Sequence, residues 1–143
     1  MAALSITDLP VNVDSAYEDD ETDSSVKSHQ QHHDTLHEAT TRVEVVSSGA
    51  SSRQFALTDA GKVVEFTSAT AVTATVPANA TVAFPVGTVI EVAQYGAGTV
   101  TIAAAGGVTL RSRGSVFTIA GQYGSVGLRK RGTNEWVVVG DLG

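Results

Sequence analysis

Cysteine is absent from this 143-residue chain, which excludes disulfides, thiolate zinc sites and cysteine nucleophiles. Histidine is confined to positions 29, 32, 33 and 37, so residues 54–143 hold no candidate for a serine or cysteine triad or for imidazole acid/base chemistry. Aromatic residues make up only 6% of the chain, with a single tryptophan; a polysaccharide-cleaving cleft would lack stacking platforms and walls. No apolar run approaches the roughly 20 residues needed to span a bilayer, and the N-terminus lacks a basic segment followed by an apolar block. These absences predict a soluble, non-secreted product with no membrane partner. What is present is 42% hydrophobic and 17% charged residues, enough for one folded domain.

The net charge of −6 hides a division. Residues 1–53 carry ten acids against Lys27, Arg42 and Arg53, a net −7; residues 54–143 carry five acids against six bases, a net +1. Two physically different objects share one chain.

Residues 1–25 open with apolar residues spaced mostly two apart, Leu4, Ile6, Leu9, Val11 and Val13, followed by the acidic run from Glu18 to Asp23. One short extended segment without a partner cannot stay folded alone. Two readings stand: a disordered leader, or an anchoring peptide ordered on a partner's surface. The second is the expectation carried forward.

Residues 26–46 have the period of a short coiled coil. Val26, His29, His33, Leu36, Thr40 and Val43 follow alternating spacings of three and four, the a and d positions of a heptad seam. The segment up to Val43 would be roughly 27 Å long at about 1.5 Å per residue, marginal in isolation. Its seam is polar, so it would set register while another region supplies cohesion. His33-Asp34-Thr35-Leu36-His37 echoes a zinc-binding H-E-x-x-H helix, but Asp34 replaces the glutamate and no third ligand follows. We therefore expect no metal and no cofactor.

Residues 47–53 (Ser-Ser-Gly-Ala-Ser-Ser-Arg) read as a flexible joint. Beyond them the period shortens. Short β-branched runs at 63–66, 72–76, 88–93, 99–102, 108–110, 116–119, 123–129 and 135–139 alternate with turn formers such as Pro77-Ala78-Asn79, Gly96-Ala97-Gly98 and Gly106-Gly107. This predicts a mostly β fold, with residues 54–143 as an antiparallel β-sandwich or jelly roll. That region has 15 Val and 14 Ala against 11 Leu, Ile and Phe together. Small side chains bury little area each, at about 25 cal/mol per Å², so association of copies is expected to complete the apolar interior, and we favour a homotrimer.

Four segments, Leu57-Thr58-Asp59-Ala60-Gly61-Lys62-Val63-Val64-Glu65-Phe66, Val76-Pro77-Ala78-Asn79 with Phe84-Pro85-Val86-Gly87-Thr88-Val89-Ile90, Gly96-Ala97-Gly98-Thr99-Val100-Thr101-Ile102, and Arg129-Lys130-Arg131-Gly132-Thr133-Asn134-Glu135-Trp136-Val137, together resemble the C-terminal β-knob of bacteriophage tail fibres, head fibres and related virion surface proteins. The resemblance spans roughly residues 55–142. It implies a homotrimer fastened by its N-terminal segment to capsid, neck or tail proteins, made in the host cytoplasm and placed on the virion surface. The short N-terminal part suits a decoration of the head or neck; the alternative is a receptor-binding fibre recognising a host surface glycan.

No catalytic residue is expected. The carboxylates Asp59, Glu65, Glu91, Glu135 and Asp141 are scattered singly, and the glycine pairs lack a P-loop lysine. Arg129-Lys130-Arg131 reads as a solvated hairpin end rather than a nucleic-acid contact. Trp136, beside a valine triplet, reads as a core or subunit-interface residue. Tyr95 and Tyr123, each beside glycine near a turn, are the candidate surface contacts.

Overall fold

The computed structural model describes residues 42–143, within which Val43–Gly143 forms one compact unit. The β-branched runs become strands because stiff side chains pack well on a pleated surface, and glycine, proline and asparagine end them. The strands are β1 (Val45–Ser48), β2 (Ser52–Gln54), β3 (Val63–Phe66), β4 (Val72–Val76), β5 (Val89–Gln94), β6 (Val100–Ala104), β7 (Thr109–Ser112), β8 (Ser125–Gly132) and β9 (Glu135–Gly140). They build a six-stranded sheet in the order β1-β3-β5-β8-β9-β7 and a three-stranded sheet in the order β2-β4-β6.

The antiparallel sandwich or jelly roll expected from the strand spacing is not what forms. Successive strands from β1 to β6 alternate between the two sheets, so each strand lies beside the one two before it and runs the same way. The ladders β1·β3, β3·β5, β2·β4 and β4·β6 are all parallel, and so is β7·β9. Only β5·β8 and β8·β9 are antiparallel. Parallel neighbours need a crossover between them; here the crossover is a strand of the opposite sheet instead of a helix. Consecutive turns of this coil stack closely where Gly96 and Gly98 pass the Thr67–Thr70 turn. A Cβ at Gly96 would collide with the Ser68 carbonyl oxygen, and one at Gly98 with that of Thr70, which is why this loop is built of small residues.

Two boundary expectations are corrected as well. The helix expected over 26–46 does not reach its end: Val45 and Val46 open β1, and Val43, assigned to the seam, lies in non-helical backbone with 63% of its surface exposed. β-Branched residues beside the open edge of β3 gain a parallel ladder that no isolated helix turn offers. The joint expected at 47–53 instead contributes the end of β1 and the start of β2. A ladder uses backbone groups, which serine-rich composition does not remove. Leu4, Ile6, Leu9, Val11, Val13, Val26, His29, His33, Leu36 and Thr40 lie outside the described residues. The run at 116–119 makes only the isolated bridges Thr101↔Thr118 and Ile119↔Leu142.

A single apolar core lies between the sheets, with Phe55, Phe66, Phe84, Ile90, Ile102, Ile119, Leu128 and Trp136 all buried. Trp136 meets Phe84 edge to face at 5.4 Å and 89°, a geometry that suits the aromatic quadrupoles. The few large apolar residues are therefore concentrated in the interior. Seven valines, Val64, Val72, Val76, Val92, Val100, Val126 and Val138, are buried with them, whereas Val45, Val89 and Val139 are roughly half exposed, and all three sit on the outer face of the six-stranded sheet.

Candidate functional site

Period-two alternation assigns each strand of the six-stranded sheet an inner and an outer face. On β8, Val126, Leu128 and Lys130 are buried, whereas Arg129 and Arg131 are exposed. The expectation of a solvated Arg-Lys-Arg hairpin end is thus right for the arginines and wrong for Lys130, which is 2% exposed. Its Nζ donates to Asn79 Oδ1 and to the Phe84 carbonyl oxygen, each at 2.6 Å. Burial lowers its pKa from 10.5.

A second buried polar group closes the turn between β2 and β3. Asp59, 1% exposed, accepts from Arg53 Nη2 at 2.7 Å through Oδ1 and from the Ala56 N–H at 2.8 Å through Oδ2. Sequence reading took Asp59 for a singly scattered carboxylate and Lys130 for part of a solvated hairpin end. The available signal for Lys130 was its parity with Val126 and Leu128; for Asp59 it was a carboxylate inside a hydrophobic segment, six residues after an arginine.

The two tyrosines singled out from sequence come together. Tyr95 follows β5, and Tyr123 lies in the loop before β8; their rings meet edge to face at 5.6 Å and 79°. Both are exposed, at 56% and 73%, and among the described residues neither phenol has a hydrogen-bond partner. The backbone beneath them is fixed. Tyr95 N–H donates to the Phe66 carbonyl, Gln122 Nε2 donates to the Tyr95 carbonyl at 3.0 Å, and buried Gln94 accepts from the Val100 N–H at 3.2 Å. Tyr123 has φ +70°, a left-handed conformation that a bulky residue adopts only where its surroundings impose it. The Tyr123 N–H donates to the Gln94 carbonyl at 2.6 Å, and Gly124 continues the turn back to the Gly121 carbonyl. The result is an exposed aromatic ridge on a rigid support.

A shallow groove of about 440 Å³ runs over the outer face of β7 and β9, lined by Arg111, Arg113, Arg131, Glu135, Val137 and Val139 among others. Glu135 Oε1 accepts from Arg111 at 3.0 Å and from Arg131 at 2.8 Å. The Arg111 hydrogen bond first, and Arg131 beside it, hold this carboxyl below its ordinary range against an opposing desolvation effect. Among the described residues, no group of three histidine, cysteine or carboxylate side chains is placed to hold a metal ion, and the four histidines lie outside them. Asp59 and Glu135 are engaged by arginines.

No family model, curated protein or solved structure matches the chain.

Proposed function

We propose that this chain is a structural, non-enzymatic component of a bacteriophage virion surface: a short homotrimeric head or neck decoration, docked through residues 1–25 and projecting its β unit outward. The observation that carries the reading is the outer face of the six-stranded sheet, where Val45, Val89 and Val139 stand about half exposed outside a core that already holds seven other valines and most of the large apolar residues. A sheet intended for solvent alone alternates apolar inside with polar outside, and this one does not. The order of motifs over residues 55–142 supports the virion setting. Apolar side chains at Leu4, Ile6, Leu9, Val11 and Val13 would bury on the particle, and three linked weak anchors would hold far more tightly than one.

Particles assembled with a chain lacking residues 1–25 are expected to lose the protein to background, while the truncated chain remains a soluble oligomer; quantitative gel analysis of purified particles reads this directly. Undiminished incorporation would remove the anchor assignment.

A second reading, adhesion to a host surface glycan, is favoured by the Tyr95–Tyr123 ridge, since exposed aromatics on rigid backbone suit the apolar faces of sugars. Changing both tyrosines to alanine should then weaken binding of the full chain to host cells at least tenfold, with an unchanged melting temperature. Equal binding by both proteins, or none by either, discards this reading and leaves decoration standing.

A further inference from the structure

The outer face of the six-stranded sheet carries a division of charge as well as valines. The ladder Val45↔Val63↔Glu91↔Gly127↔Val139 defines one cross-sheet row, and Val89↔Arg129↔Val137↔Arg111 the next. Register partners share a face, so all of these side chains stand on the same surface. The acids Glu65 and Glu91 come from β3 and β5, and the bases Arg129, Arg131 and Arg111 from β8 and β7. The boundary between the signs runs between β5 and β8, and Glu135 is the one acid on the basic side. Glu65, Glu91 and Arg129 make no ion pair among the described residues. Unpaired charges of opposite sign flanking exposed apolar rows match a surface of reversed polarity.

We infer that a second copy of this chain packs on this face, with its basic β8–β9–β7 half laid against the acidic β3–β5 half of the first. The inference rests on the homo-oligomer reading above and names the surface that executes it. One patch supplies both partners, and acid-to-base contact repeated head to tail closes around a symmetry axis without leaving a charged half uncovered. Gly127, between Glu91 and Val139 in its row, leaves the middle of the face low. A neighbour's side chains can therefore approach the sheet backbone there.

The test is a charge swap on the full chain, read by sedimentation velocity across a concentration series. Glu91→Arg and Arg129→Glu, each on an exposed side chain, should separately raise the dissociation constant at least tenfold, because each sets a like charge against the neighbour's half where the packing needs an opposite one. The double variant Glu91→Arg/Arg129→Glu restores a bipolar face and should bring it back to within about threefold of the starting chain. Circular dichroism establishes that the β unit is intact; should a charge variant fail to fold, Val89→Gln on the same face is expected to dissociate the oligomer in its place. An oligomer indifferent to all of these substitutions overturns this surface while sparing the homo-oligomer reading. A starting chain that is monomeric at every concentration overturns both.

Discussion

Arg53→Met is expected to lower the unfolding free energy by about 3–5 kcal/mol, the cost of stranding one member of a buried ion pair. The pair is unequal: the Asp59 side chain is 2% exposed and that of Arg53 21%. Removing arginine leaves a carboxylate in the interior with the Ala56 N–H as its remaining donor. Removing aspartate leaves a guanidinium on a side chain that is 21% exposed, although its Nη1 is buried without a partner, and strips the Ala56 N–H of its acceptor at about 1–3 kcal/mol, so Asp59→Leu should also destabilise. Arg53→Met/Asp59→Leu should recover much of the loss, because replacing both partners with apolar groups of similar size removes the buried charge along with the interaction. Urea denaturation of the four proteins at neutral pH gives the coupling energy. Strictly additive single effects would mean that the 2.7 Å contact contributes nothing, and that the β2–β3 turn is held by its backbone hydrogen bonds alone.

That pair also marks where sequence reading reached its limit. Strands β3 to β9 were legible as β-branched runs between turn formers, and the bounds of β3 and β4 match the runs at 63–66 and 72–76. Their directions were not legible. Alternation with a period of two is identical in parallel and antiparallel strands, and the switch between sheets at each turn leaves no compositional mark. β1 was hidden because Val43 completes a heptad spacing, which competes with the strand pattern of Val45 and Val46 until the edge of β3 is known to be free. β2 and Arg53 were hidden by serine-rich composition, since a main-chain ladder asks little of its side chains. Tyr95 and Tyr123 were picked out by turn chemistry one at a time. That they touch follows from β5 and β8 being neighbours, a non-local fact. The valine surplus was counted correctly, but counting could not show which valines join the large residues in the core, as Val64, Val92 and Val138 do, and which stay on the outer face, as Val89 and Val139 do.

Lys130 carries the other large effect. Lys130→Ala removes a buried four-carbon stem, comparable to other long-to-alanine changes at about 2–5 kcal/mol, and leaves the Phe84 carbonyl and Asn79 Oδ1 without their donor. Lys130→Met keeps the stem and should cost less, about 1–3 kcal/mol for the orphaned acceptors, offset in part by removal of a buried charge that has no carboxylate partner among the described residues. The pH profile separates these contributions. Burial places the folded-state pKa of Lys130 below 10.5, so between that value and 10.5 the unfolded chain holds a proton that the folded chain has released. The unfolded state then binds more protons, and stability from this group rises with pH across that window and is flat below it. Urea midpoints from pH 7 to 10.5 should therefore climb for the starting chain relative to Lys130→Met. Parallel profiles would mean that the ammonium is not penalised by burial. The consequence extends beyond the core. The β8·β9 ladder shifts register between Lys130 and Gly132, a bulge that re-aims the residue it displaces. The inward tether of Lys130 fixes the base of that bulge, from which Arg131 reaches Glu135 on the outer face. Under the proposed packing of copies on that face, loosening Lys130 should therefore weaken association as well as folding, with Lys130→Ala more damaging to both than Lys130→Met.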